Sequence, residues 1–350
     1  MEVKALKFGG LTAKRPIVQG GMGVGVSLSS LAGNVAKCGG IGTISGVHPG
    51  YREADFKENP FRANLRAIGN ELEKAKEIAN GGIIGFNFMT VMNHYEEYVK
   101  EAIAAGADFI VSGAGLPVNL AKYAAGTRAA ILPIVSSARA LKLIVKQWQR
   151  ADRLPDAVVV EGPLAGGHLG YPYGHLVDGT FDTLEDSLVD VVDYVRELEE
   201  KNGVKIPVIA GGGVRNHADV EWLMALGASG VQVGTKFVAT EECDAAPAFK
   251  QAYLRSRKED VQLIESPVGL AARAIRNSFL EKVEKQGRIP VQRCYQCMNH
   301  CKQAETKYCI SQALIDAVQG REGLVFCGAN AYEIEKLSTV EKVMQELCGE

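Results

Sequence analysis

Eight short apolar runs recur along the chain: RPIVQG (15–20), GGIGTIS (39–45), GIIGFNF (82–88), DFIVSG (108–113), AAILPIVSS (129–137), DAVVVEG (156–162), IPVIAGG (206–212) and GVQVGT (230–235). Within each run apolar residues are continuous rather than alternating, the mark of strands buried on both faces. Between them lie stretches with helical spacing, such as SLSSLAGNVAKC, NHYEEYVKEAIAAG, TLEDSLVDVVDYVRELEEK and HADVEWLMALG. Strand and helix alternate eight times. This predicts an α/β protein of the (β/α)8 TIM-barrel type. A doubly wound open sheet is the competing architecture. Against it, no GxGxxG with a suitably spaced acidic residue follows the first strand. The barrel is expected over residues 1–245, with a longer loop at 46–60 after the second strand. Residues 246–350 are expected to form a helical C-terminal region packed on the barrel.

In such a barrel the chemistry sits at the C-terminal ends of the strands. Small and polar residues gather there: QGGMG after strand one, Asn87 after strand three, EGPLAGGHLG after strand six, AGGGV after strand seven and VGT after strand eight. Gly211, Gly212, Gly213 and Gly234 would let backbone N–H groups approach a phosphate, with the Thr235 hydroxyl as a further donor. Gly21, Met22 and Gly23 would let a flat ring lie against the backbone. Two glycine-rich turns without a ligand are the plainer reading of each. His168 follows a double glycine at a strand end, on what reads as an open loop. Histidine is the side chain best suited to proton transfer near neutral pH. Its plain alternative is a structural ring bonded to its own loop. Of the other histidines, His94 and His217 read as helix starts on solvated faces. His48 and His175 lie in long loops, with His175 the better placed to touch substrate.

Composition narrows the function. The 350 residues are 47% hydrophobic with 39 glycines, enough for a large core. The formal charge of −2 offers nothing to nucleic acid. Neither a membrane span nor an apolar leader is apparent, so a cytoplasmic protein is expected.

The stretches QGGMGVGVS, GFNFM, EGPLAGGHLG, PVIAGGGV and GVQVGTKFVATEE, in this order, resemble the nitronate monooxygenase (2-nitropropane dioxygenase) family. That family includes the FMN-dependent enoyl-acyl carrier protein reductase II. The likeness runs over about residues 5–280 and resumes at GLVFCGANAY; ESPVGLAARAIRN (265–277) resembles the reductase branch. The resemblance implies an FMN-binding barrel. It implies a flavin ring near Gly21, Met22, Gly23, Asn87 and Glu161, lined by Gly166 and Gly167. It implies a phosphate on Gly212, Gly213, Gly234 and Thr235, and it makes His168 the catalytic histidine. The chain departs from the family in the closing segment, where CGAN leaves Asn330 as the stand-in for the usual glutamine. The loop GYPYGHLVDGTFD is also long.

Cys294, Cys297, Cys301 and Cys309 follow a Cys-x2-Cys-x3-Cys-x7-Cys spacing. In a reducing compartment such thiols point to a metal. A [4Fe–4S] cluster and a structural zinc both accept four thiolates; free thiols are the third reading. The spacing resembles the cluster motif of the 2,4-dienoyl-CoA reductase group, though the last gap is shorter here. His300 lies within the segment and could replace one ligand. Cys38, Cys243 and Cys348 read as ordinary residues, and Cys327 belongs to the closing segment.

Together these features predict an FMN-dependent oxidoreductase with His168 as acid/base or polarising group. The reaction is either nitronate oxidation or enoyl-thioester reduction, and a cluster would favour reduction. The partners expected are a small-molecule or acyl-thioester substrate, NAD(P)H or a ferredoxin-like electron donor, and a second copy in a homodimer. The rivals are a non-catalytic flavin/iron–sulfur electron carrier or redox sensor, and a flavin-free barrel for a phosphate substrate.

Overall fold

The computed structural model describes residues 4–298 and 301–350. Its centre is a closed barrel of eight parallel strands. They are β1 (Ile17–Gln19), β2 (Ile41–Ser45), β3 (Ile83–Met89), β4 (Phe109–Gly113), β5 (Ala130–Val135), β6 (Val158–Glu161), β7 (Val208–Gly211) and β8 (Gly230–Val233). Each falls within one of the apolar runs, except that β3 extends one residue past its run, to Met89. The ring closes where β8 pairs with β1, Val231 opposite Ile17.

The continuous apolar pattern has a direct cause. Val18, Ile41, Phe109, Val111, Leu132, Val159 and Ile209 point into the barrel and form one cluster, whose foot is the hairpin Leu6–Phe8/Leu11–Ala13. Their neighbours Ile17, Ile44, Ile84, Ile110, Ile131, Val158 and Val208 face outward against the helices. Both faces of these strands are therefore dry along most of their length, as the TIM architecture demands.

The helices form where caps and apolar stripes agree. Leu184–Asn202 starts at a capping box of Thr183 and Asp186 and ends at the left-handed Gly203. Leu184, Leu188, Val191, Val195 and Leu198 make its buried stripe. At about 2 kcal/mol for each side chain taken from water, packing rather than propensity holds it. An Asp at Val191 would put a charge in that stripe and detach the helix.

Region 246–350 carries the expected helices at Pro247–Arg255, Ser278–Gln286, Ile310–Val318 and Val340–Cys348. It also holds two strands that the apolar pattern did not reveal, Val261–Glu265 and Ala271–Ile275. These pair antiparallel, and the second pairs with Gly167–Leu169 from the segment after β6. The hydrophobic cluster on the outer face of the barrel continues into this region without a break. The loop at 46–60 is folded inward: His48, Tyr51 and Phe56 are buried, and Phe56 stacks on Tyr295 at 5.4 Å. Among the described residues no helix is long and apolar enough to cross a membrane.

Candidate active site

A cavity of about 1350 Å³ opens at the C-terminal ends of the barrel strands. Gly21, Met22, Gly23, Asn87, Glu161, Gly166, Gly167, His168, Gly211, Gly212, Gly213, Gly234 and Thr235 all line it. The structure thus brings to one cavity every residue that the sequence marks for cofactor or catalysis, and of the four cysteines only Cys301.

The floor is bare backbone. A Cβ on Gly21 would stand 2.4 Å from the Asn87 Cβ, so the first loop can lie against β3 only as glycine. The Asn87 Nδ2 donates to the Gly21 carbonyl at 3.5 Å. After β7, Gly212 and Gly213 have φ of +105° and +94°, which side chains with a Cβ resist. A Cβ at Gly212 would also come within 3.0 Å of the Gly162 carbonyl oxygen. Beside this loop the Thr235 hydroxyl accepts from the Gly328 N–H at 3.0 Å. Its own hydrogen stays available to an oxygen in the cavity. Asn330 donates from Nδ2 to the Gly213 carbonyl at 3.3 Å, so it buttresses the cradle. A narrow backbone cradle of this kind fits a phosphate and the edge of a planar ring.

The wall above the floor is made of side chains. His168 does not ride on an open loop, as the double glycine suggested. It sits in the strand Gly167–Leu169, opposite Ala272. Its Nε2 lies 2.7 Å from the Ser266 Oγ, and Phe326 meets the ring edge-on at 5.0 Å. Burial pulls the imidazole down to about 4, so it is neutral at physiological pH. Glu161 is shifted the other way: burial raises its carboxyl to about 8, so it carries a proton at neutral pH. The Arg273 guanidinium is buried beneath and donates to the Ala165 carbonyl, fixing the loop after β6.

Several lining residues escaped the sequence reading. Ser266 and Phe326 lie about a hundred residues or more from His168, and only strand pairing brings them together. Gln232 lines the cavity from β8, its side chain beside Gly20 and Gly211; no motif flagged it. Cys327 is in the wall too, but burial pushes its thiol up to about 12 and leaves it unreactive.

The other histidines divide. His175, in the short helix Tyr173–Asp178, does not line the cavity. His48 is a buried structural ring between Asn64 and Ser311. His94 and His217 do begin helices. The cysteine expectation needs correction. Among the described residues no group of three or more His, Cys, Asp or Glu stands at the spacing of a metal site. Cys294, Cys297, Cys301 and Cys309 are free thiols, and His300 lies outside the described residues.

The profile of the nitronate monooxygenase family matches residues 4–350. The chain belongs to the nitronate monooxygenase family. A probable nitronate monooxygenase of Staphylococcus saprophyticus is 25% identical over 308 residues, 81% of this chain and 82% of its own. The structure of FabK from Thermotoga maritima superposes with a TM-score of 0.71 at 23% identity, covering 96% of this chain and 92% of that one. A nitroalkane oxidase from Streptomyces ansochromogenes gives 0.67 at 19%, covering 96% and 95%. At such identities the two structures speak for the fold alone. Family membership bears out the reading as an FMN-dependent oxidoreductase.

Proposed function

We propose that the cavity holds FMN and that the enzyme oxidises alkyl nitronates beside His168. The observation that carries this is the neutral imidazole, held by Ser266 and Phe326 in a cavity whose floor is bare glycine backbone. FMN, when bound, would supply the electron acceptor. Gly212, Gly213, Gly234 and Thr235 would hold its phosphate, with Gly211 shaping the same loop. Gly21, Met22, Gly23, Asn87, Glu161, Gly166 and Gly167 would border its ring. A nitronate is an anion, and a neutral imidazole can donate one hydrogen bond to its oxygens or take a proton from a neutral nitroalkane. The protonated Glu161 adds no competing negative charge.

One observation favours a second reading, enoyl-thioester reduction. Reduction of an activated alkene needs a proton donor, and Glu161 keeps its proton up to about pH 8 in the same cavity. A volume of about 1350 Å³ also leaves room for an acyl chain beside a cofactor. NAD(P)H or a ferredoxin-like protein would then supply electrons.

The test is oxygen uptake by the FMN-loaded chain with an alkyl nitronate, set against NAD(P)H-dependent loss of a short enoyl thioester. Nitronate-dependent uptake with an inert thioester is the expected result. Thioester reduction without nitronate turnover would replace the first reading with the second.

A further inference from the structure

Beyond Phe326 the cavity continues away from the glycine floor. Val24 and Val26 line it there from the loop after β1, Phe249 and Tyr253 from helix Pro247–Arg255, and Leu314 from helix Ile310–Val318. These five side chains keep only 1% to 8% of their surface exposed, so the gap they share is narrow. Phe326 joins the gap to the wall of the site, because its ring meets His168 at 5.0 Å.

The gap asks for no polar partner. Tyr253 donates its hydroxyl hydrogen to the Phe326 carbonyl, which leaves the ring as an apolar surface beside Phe249, centroids 5.9 Å apart. The Val26 carbonyl accepts from the Cys243 thiol at 3.4 Å and from the Asp244 amide at 3.2 Å. Among the described residues, the buried polar side-chain atoms without a partner lie elsewhere, on Thr43, Asn93, Ser187 and Tyr308.

The rest of the lining is different. Its lysines and arginines already face carboxylates: Arg215 is paired with Asp219, Lys236 with Glu346, Lys302 with Glu305 and Lys307 with Glu265. Charge around the cavity is therefore balanced, and the apolar gap is the feature left to choose among substrates. A gap this narrow takes a chain of methylenes rather than a ring. Each methylene moved into it from water strengthens binding about fourfold.

We propose that the gap between Val26, Phe249, Tyr253 and Leu314 is a subsite for a straight alkyl chain, and that the enzyme prefers substrates whose chain reaches past Phe326. The chain's reactive head would lie at His168. That placement rests on the reading of His168 as the reacting end; the binding of the chain does not.

The test is calorimetric binding of straight-chain amides, acetamide through decanamide, to the whole chain with and without FMN. Turnover of primary nitronates of the same lengths follows. With FMN bound, the Kd should fall about fourfold for each added methylene until the gap is full, with a negative heat-capacity change. The KM of the nitronates should fall in the same steps while kcat stays level. Leu314→Phe should bring the plateau to shorter chains and Leu314→Ala should carry it to longer ones. A loss of fold would not give opposite shifts, and far-UV dichroism checks both variants. A Kd that ignores chain length would overturn the proposal. So would length-dependent binding only without FMN, since the gap would then belong to the cofactor's own ring edge. If the amides show the slope and the nitronates are inert, the subsite stands and the reaction assigned to its head falls.

Discussion

On the floor of the cavity Gly21, Gly212 and Gly213 present bare backbone, each at the end of a barrel strand. In the wall, His168, Ser266 and Phe326 present side chains from three distant segments, joined by the small sheet over 167–169, 261–265 and 271–275. The floor is local: each loop takes its shape from the strand before it and from the lack of a Cβ. The wall is non-local: no part of it has its geometry until the sheet has paired. A surface of backbone suits a ligand held the same way in every catalytic cycle, and one of side chains suits substrates that differ.

This contrast can be broken from the floor first. Gly213→Val should cost the most, since its left-handed backbone resists a branched side chain and its Cβ would press on Leu164 at 3.2 Å. We expect flavin affinity to fall about 100-fold or more, read as bound flavin absorbance per chain. Retention of full flavin would show that this loop is not the cradle. His168→Ala should lower turnover by about 10² while flavin content stays put; an electron carrier would lose nothing. Ser266→Ala leaves the ring in place but frees Nε2, and turnover should fall about 10-fold, the size of one lost hydrogen bond. Unchanged turnover would mean that Ser266 does not orient the ring.

The smallest effect concerns Glu161. Its carboxyl titrates at about 8 in the folded chain against 4.5 ordinarily. Between those values the folded state holds a proton that the unfolded chain has released, so stability is fullest below about 4.5 and falls as pH rises through about 8. In Glu161→Gln that slope should be missing, which melting temperatures at pH 5 and pH 8 would reveal as a difference of a few degrees. Equal slopes in the two proteins would place the charge in water.

The same contrast explains what could be read in advance. Strands such as β6 and β7 stand out because a parallel barrel buries both faces, so period and composition agree. The floor glycines were legible because a missing Cβ is itself the signal. His168 was visible as a residue but misplaced, since GGHLG reads as a loop and pairing with Ala271–Ile275 leaves no local trace. Ser266 lies within ESPVGL, whose resemblance to the reductase branch names no role for it. Gln232 had no signal at all, because an inward polar residue in a strand reads as a break in the pattern. The two strands within 261–275 lie in a region whose flanks read as helical.

The pairing of Gly167–Leu169 with Ala271–Ile275 also sets an order in time. All eight barrel strands are complete by Val233, so the ring can close while later residues are still being made. The strand beside His168 and the Phe326 ring come only afterwards, through contacts of long sequence separation. A newly closed barrel therefore offers its glycine cradle before it has a working wall. In refolding, recovery of flavin binding should run ahead of recovery of turnover.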